Sequence, residues 1–516
     1  GGSLAAGTIL LTSACQSPEP SVEPVDQSPV APTPAQSTVD GFLMAVSGVI
    51  GGLDPLLINT AEQTLLCRQI YERIIGVDPN TGAPTPTGLA SEWDISDDGL
   101  TYTFVIAPDK EFHDGTVCDA EAVATNIERW ANLPGLINNF DDLTVADVFA
   151  DVFGDDEQDE GRGAFRSVEA SSDNVLTLRL HEPLPGLLAA LAHTAFSICS
   201  PTALAAEKAN SLSEELHGVA VSKFALAPVG TGPYRAEHRE SSVRLTAVED
   251  PSESPTPSAS QDSNTTAQES KAAVKAEMRT VKQDFARLRL LEQGKASVMA
   301  DLTPEQLRPV LQQGLRFLQR DPFGMAYLGI NHSHPALRHT AVRELLVTAL
   351  DKNRLAGGYF LSGTKSSQAF TPPSLAVPTA DLPSVNQDAA AATAQLEELL
   401  ERFPELEDPI TLYFPTDSAR TWLPLPERTT MDIAEQLAAI GLNIRPVPIS
   451  WHAAYQKRVH VDENVGLYLG VHVGAYRDPL DFLAPIVSGR GPARDFTHSR
   501  SANLLAQARN EEDSTL

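Results

Sequence analysis

The chain has 516 residues, 42% of them hydrophobic, too many for one core, so two or three lobes are expected. Lysine and arginine number 38 against 68 aspartates and glutamates, and the resulting charge of −30 argues against nucleic acid or an anionic membrane surface as the main partner; it serves solubility. The four cysteines, Cys15, Cys67, Cys118 and Cys199, include no C-x-x-C pair and no zinc spacing, so thiolate-held metal is not expected.

In chain order, residues 4–15 form a short apolar block followed at once by polar sequence, as at the end of a secretory leader, and the block is too short to span a bilayer. Ser13-Ala14-Cys15 resembles a lipobox, which makes Cys15 the expected lipidated residue. No Lys or Arg precedes Arg68 and there is no initiator Met, so residues 1–14 are expected to be the remnant of a signal peptide. Residues 15–40 then read as lipid anchor and tether, because Pro18, Pro20, Pro24, Pro29, Pro32 and Pro34 stand among Ser, Thr and acids with no aromatic to seed a core.

The folded body is expected to begin with a buried strand over 42–46, followed by Ser47-Gly48 and a Leu53-Asp54-Pro55 turn. Asp98-Gly99 lies between β-branched and aromatic runs, at 93–95 and 102–106, and predicts a hairpin. His113-Asp114-Gly115-Thr116 predicts a second turn, with Thr116 or Asp119 capping a helix from Ala120 that places Val123, Ile127 and Trp130 at helical spacing. Residues 141–160 hold nine acids and no base; as a calcium loop they fail, with Glu160 where Gly is needed and Arg166 where Glu is needed, so a solvated insertion is expected. Strands are expected at 175–180, at 196–201, and from Tyr234 after the Gly/Pro turn that starts at Pro228. Residues 251–270, rich in Ser and without aromatics, read as a disordered insertion. Beyond it come a helix and Gly turn ending at Gly294, a strand over 325–331 and an amphipathic helix over 342–351. Strands at 410–414, 443–449 and 465–471, with a helix over 431–440 stopped by Gly441, imply a largely parallel sheet covered on its faces. A last helix is expected over 502–509.

No P-loop, H-E-x-x-H or G-x-S-x-G occurs. An S-x-x-K at Ser362–Lys365 and an S-D-N at Ser172–Asn174 stand in the wrong order for a penicillin-recognising enzyme and lack K-T-G. No catalytic residue and no cofactor is therefore assigned. His332 and His334, with His472 as a possible third ligand, form the one metal-site alternative.

Several of these pieces together resemble a known signature: Tyr71-Glu72-Arg73-Ile74, Pro86-Thr87-Gly88-Leu89, Asp97-Asp98-Gly99-Leu100, Phe112-His113-Asp114-Gly115-Thr116 and Ala120-Glu121-Ala122-Val123. In order and spacing they are similar to the family 5 extracytoplasmic solute-binding proteins, the peptide, dipeptide and nickel receptors of ABC importers. The turn before Tyr234, the strand at 325–331, the helix at 342–351 and Asp478-Pro479 with Phe482 extend the likeness.

The resemblance implies an α/β, bilobed, type II periplasmic-binding-protein-like fold with an extra subdomain. Lobe I would comprise 41–60, 186–320 and 487–516, the subdomain 61–185 and lobe II 321–486; the sequence is expected to stop short of the family's usual C-terminus. The implied ligand-facing residues are Ser47, Gly48, Tyr234, Asn331, His472, Val473, Gly474 and Tyr476. The implied partners are a small-molecule or peptide solute and ABC permease subunits, for a monomer held by lipid on the outer face of the cell membrane. Peptide-binding members carry an aspartate three residues before the Asp-Pro and a tryptophan three before that; here these are Ala475 and His472, so α-ammonium capture at that position is not expected. A receptor for a metal complex or other non-peptide solute, and a surface lipoprotein acting by protein contact, are the alternatives. With Cys15 lipidated, Cys67, Cys118 and Cys199 allow at most one disulfide, and the sequence leaves its pairing open.

Overall fold

A computed structural model describes residues 41–78, 83–137, 148–154, 163–248, 275–300, 302–318, 323–375, 377, 382, 387–416, 422–451, 455–474, 478–487, 489 and 492–509. Cys15, the tether, the insertion at 251–270, Ala475 and Tyr476 lie outside the described residues. Along the chain come β1 (Phe42–Val46), a short hairpin of β2 (Gly76–Val77) and β3 (Pro84–Thr85), then β4 (Ala90–Ile95), β5 (Thr101–Ile106), β6 (Phe165–Ser172) and β7 (Val175–Leu180). A second short hairpin, β8 (Glu214–Leu216) and β9 (Val219–Val221), precedes β10 (Tyr234–His238), β11 (Ser242–Ala247), β12 (Lys275–Thr280) and β13 (Val298–Met299). The last group is β14 (Gly324–Asn331), β15 (Ile410–Thr416), β16 (Ile444–Ser450), β17 (Leu467–Val473) and β18 (Ala493–Arg494). They form three main sheets, ordered β10-β11-β12-β1-β13, β4-β5-β7-β6 and β16-β15-β17-β14-β18.

In the first sheet β1 runs parallel to both β12 and β13, and β10 and β11 add an antiparallel edge. Helix Ala61–Ile70 covers it, started by a capping box in which Thr60 and Gln63 satisfy each other's backbone N–H groups. Its Leu66, Cys67 and Ile70 share a core with Val46, Phe224, Val243 and Met278. This helix therefore belongs with the first sheet and not, as expected, with the subdomain.

The four-stranded sheet holds the predicted hairpin, with Gly99 at φ +69° in the turn between β4 and β5. Asp119 caps helix Ala120–Ala131 by accepting from Ala122 N, and Val123, Ile127 and Trp130 are buried beneath it. Two expectations are corrected here. Within the acidic stretch, Val148–Phe153 is a helix whose Phe149 and Phe153 stack at 4.3 Å and meet Phe165 edge-on. An apolar i, i+4 pair thus buries one side of a segment that net charge had marked as solvated. Residues 196–201 are not a strand. Thr194–Phe196 is a 3₁₀ turn, and Ser200 caps helix Pro201–Ala206 by accepting from Ala203 N, so the Ser-Pro start signal overrides the alternation. Leu184 through Ile198 also contribute to this core, which extends the subdomain past 185.

In the second sheet β15 is parallel to β16 and β17, and β14 is antiparallel to β17. One face, with Leu412, Phe414, Leu467 and Leu469, is covered by helices Thr340–Ala349, Ala389–Arg402 and Pro426–Ala439. The last of these begins a turn earlier than expected and ends before Gly441 at φ +108°. β18 pairs with β14, Ala493 opposite Ile330, so part of 487–516 joins this sheet, where a return to the first had been expected.

Cys67, Cys118 and Cys199 are buried free thiols, which answers the open pairing: no disulfide joins them. Burial pushes Cys118 up to about 12 and the other two well above the usual thiol range, leaving them inert. Among the described residues no helix is long and apolar enough to cross a membrane.

Candidate functional site

The end of β17 is built around absent side chains. Tyr327 lies across Gly470 and Tyr468 across Gly329; a Cβ at either glycine would come within 2.3 Å of a ring carbon. At Gly474 a Cβ would strike the rings of Phe323 and Phe482, and its N–H donates to Phe323 O at 2.9 Å. These glycines let aromatic rings lie flat on the strand ends. The chain then turns at Asp478, whose Oδ1 accepts from Leu480 N at 2.8 Å, and helix Pro479–Val487 carries Asp481 and Phe482 back to β17.

His472 sits at the centre of this corner. Its ring is 4.8 Å from Phe482 and 6.4 Å from Phe370, which in turn is 5.4 Å from Tyr327, while Phe323 lies 5.5 Å from Phe482. Nε2 of His472 is 3.5 Å from Asp481 Oδ1, in ion-pair range but without hydrogen-bond alignment, and it is enclosed with no hydrogen-bond partner among the described residues.

The opposing wall comes from the other side of the molecule. Asp478 Oδ2 reaches to 2.6 Å from where a Cβ on Gly186 would stand, so a side chain there would have to push the carboxylate aside. Burial raises Asp478; the hydrogen bond from Leu480 N opposes this and the Asp481 charge adds to it. Burial brings His193 down to about 4; the Asp481 charge opposes that, and Arg68 and Arg73 reinforce it. His193 is therefore neutral at pH 7, with Nδ1 accepting from Ala195 N at 2.9 Å. Arg68 Nε donates to Thr194 Oγ1 and Arg73 Nη1 to Ala192 O, each at 3.0 Å, and burial lowers Arg73 to about 10. Acidic groups on the helix after β17 thus face basic and imidazole groups around the 187–196 turns. Farther off, Arg428 on helix Pro426–Ala439 pairs at 2.7 Å with Glu305 on helix Pro304–Gln312, a second tie between the two sides. A surface hollow of about 460 Å³ lined by Tyr359, Met431 and Asp432 lies apart from His472, and Tyr359 Oη donates to Asp432 Oδ2 at 2.7 Å beside it.

Other residues singled out in the sequence lie elsewhere. Ser47 is buried just past β1, where Gly48 N donates to Glu62 Oε1 at 3.2 Å and Gly48 O accepts from Thr280 at 2.8 Å. Tyr234 opens β10 and packs on the first core. Val473 is the exception, next to His472 at the end of β17 and 46% exposed. Asn331 is buried, donating to Val465 O and accepting from Ser333 N, and it stands at the far end of β14 from Met325, the partner of His472. Six residues at ~3.3 Å each separate Met325 and Asn331 by about 20 Å. His332, packed on Phe496, and His334, accepting from Ala336 N, share that far end. The three-histidine metal alternative is therefore corrected, and no group of three metal-ligating side chains occurs among the described residues. Asp481, Phe370, His193 and Arg68 were not singled out. Only Asp481 carried a signal, standing one helical turn after Asp478 on the same face.

Residues 85–493 match the family model described as bacterial extracellular solute-binding proteins, family 5 Middle. Among curated relatives, the probable ABC transporter periplasmic-binding protein SapA of Escherichia coli is 25% identical over 490 residues, covering 89% of this chain and 79% of that protein. Heme-binding protein A of Haemophilus influenzae is 24% identical over 523 residues, 98% of this chain and 87% of its own. Among solved structures, the Helicobacter pylori periplasmic binding protein DppA in complex with peptide STSA has a TM-score of 0.74 at 18% identity, covering 92% of this chain and 87% of that one. The dipeptide binding protein from Pseudoalteromonas in complex with Met-Leu has 0.73 at 19%, covering 92% and 89%. The fold is that of the type II periplasmic binding proteins.

Proposed function

The chain belongs to the bacterial extracellular solute-binding proteins of family 5, and from that premise we propose that it is the receptor of an ABC importer, capturing an oligopeptide or related solute between two lobes and delivering it to permease subunits. The observation that carries the reading is the corner at His472, where the end of β17 and helix Pro479–Val487 meet groups of the opposite side, Gly186 and His193. Polar groups from two separate bodies converging beside an aromatic belt suit a solute that needs both apolar cover and a few fixed partners. Lobe I is the sheet around β1 with the four-stranded subdomain on it, and lobe II is the sheet around β15 and β17. Ser47, Gly48 and Tyr234 would face the solute from lobe I, and His472, Val473, Gly474 and Tyr476 from lobe II. Closure would be a hinge motion, with Glu305 and Arg428 meeting as the lobes come together.

Peptides are the favoured class because SapA of Salmonella typhimurium is named a peptide transport protein and both structures above hold peptides. Lipid on Cys15 would hold the monomer at the outer face of the cell membrane, with the Pro-rich stretch as tether. Thermal unfolding against a mixed peptide library tests the reading. A ligand of the folded state raises the midpoint, by free energy equal to RT ln(1 + [L]/Kd). A midpoint unmoved by every peptide pool would reject it.

A further inference from the structure

We infer that Arg68 and Arg73 form an anion subsite on the lobe I wall of the cleft, where two guanidinium groups take two carboxylates of one solute and so favour an acidic peptide over a neutral one. This deepens the receptor reading above and rests on it.

The two side chains converge on one turn. Arg68, in the last turn of helix Ala61–Ile70, donates from Nε to Thr194 Oγ1, and Arg73, whose backbone is bridged to Ser197, donates from Nη1 to Ala192 O, each at 3.0 Å. The guanidinium groups are thus pinned one residue to either side of His193, whose Nδ1 accepts from Ala195 N and so holds the turn in place. These bonds leave both Nη groups of Arg68, and Nε and Nη2 of Arg73, without a partner among the described residues, and such paired N–H groups match the two oxygens of a carboxylate.

The chain provides no counter-charge here. Acids outnumber bases 68 to 38, yet no carboxylate among the described residues pairs with either arginine, and Glu72, next to Arg73, is held by Lys110 at 2.9 Å. Arg68 is exposed, but the surrounding protein still lowers its pKa by burial; burial also lowers Arg73, to about 10, with the Arg68 charge adding to it. A side chain that is both exposed and desolvated lines a concave wall, and both arginines remain charged at pH 7. The wall opposite is lobe II, because the Asp481 charge reaches His193 between them. Like charges held side by side in a desolvated place cost free energy until anions arrive.

The count of charges selects the solute. A peptide whose only carboxylate is its C-terminus answers one guanidinium, whereas a peptide with an acidic side chain answers both. A glutamine side chain offers an acceptor of similar shape without the charge, and a hydrogen bond between two ionised groups is roughly twice as strong as a neutral one.

The test is calorimetric titration of the full chain with Ala-Glu-Ala, Glu-Ala-Ala and Ala-Ala-Glu, each against the same peptide with Gln in place of Glu. The wild-type protein should bind at least one Glu peptide about 10- to 100-fold more tightly than its Gln counterpart. Arg68→Gln should bring that ratio close to one, Arg68→Lys, which keeps the charge but not the fork, should retain part of it, and Arg73→Gln should reduce it, with circular dichroism confirming folding of each. A role of these arginines in folding alone would weaken both members of a pair equally and leave the ratio unmoved. Equal binding within all three pairs by the wild type, or a ratio that survives Arg68→Gln, overturns the proposal and leaves the receptor reading standing. Binding of none of the six peptides by the wild type overturns the proposal together with the peptide receptor reading.

Discussion

Arg129 grips Asp54 with both arms of its guanidinium, Nη1 to Oδ1 at 3.1 Å and Nη2 to Oδ2 at 2.6 Å, and the two side chains are 7% and 0% exposed. The pair joins helix Ala120–Ala131 of the subdomain to the turn after β1, and Nε of Arg129 also donates to Asn210. Removing one partner strands a buried charge. Arg129→Met should cost about 3–5 kcal/mol in urea unfolding, while Asp54→Leu combined with Arg129→Met should cost much less than the sum of the single changes.

Gly470→Ala should be destabilising by about 1–3 kcal/mol, because the new methyl must displace the Tyr327 ring. Through the Tyr327–Phe370–His472 contacts it should also weaken solute binding. Gly357→Ala, a helical position with open space at Cβ, should do neither, and chemical denaturation with titration on the same samples checks both.

Closure should depend weakly on Glu305 and Arg428. Both ends are largely exposed, so Glu305→Arg should lower solute affinity only roughly 2- to 5-fold, the swap Glu305→Arg with Arg428→Glu should restore it, and high salt should erase the difference.

Acid should destabilise the fold before its carboxylates titrate. His193 and His238 both have pKa values lowered to about 4, chiefly by burial. A histidine depressed in the folded state favours folding fully only above its unfolded value of about 6.5, and the contribution is lost as pH falls toward 4, because the unfolded chain binds the proton more readily. Unfolding free energy should therefore drop between pH 6.5 and 4.5, and His193→Asn, which keeps an acceptor for Ala195 N, should flatten that slope. A slope unchanged in this variant would show that His193 takes no part.

The main strands and helices were legible in the sequence because local rules agree there. Asp98-Gly99 makes a hairpin, Asp119 caps a helix and Gly441 follows one, each with its neighbours' apolar period in step. The failures came where two local signals compete. Val148–Phe153 is acidic overall yet carries a Phe pair at helical spacing, and residues 196–201 alternate like a strand yet contain Ser200-Pro201. The site was only half legible. His472 was singled out from its place before Asp478-Pro479, but Phe370 beside it, and His193 near Asp481, arrive from distant segments that no local pattern links to it. Asn331 was singled out from its place at a strand end, and pairing puts that end of β14 opposite to the one beside His472.

The most direct measurement is mass spectrometry of small molecules released when purified, full-length protein is denatured, followed by calorimetric return of the released solute to refolded protein. The account predicts one dominant solute, near one per chain, that rebinds. A protein that releases nothing and binds none of the peptides offered to it would contradict the receptor assignment.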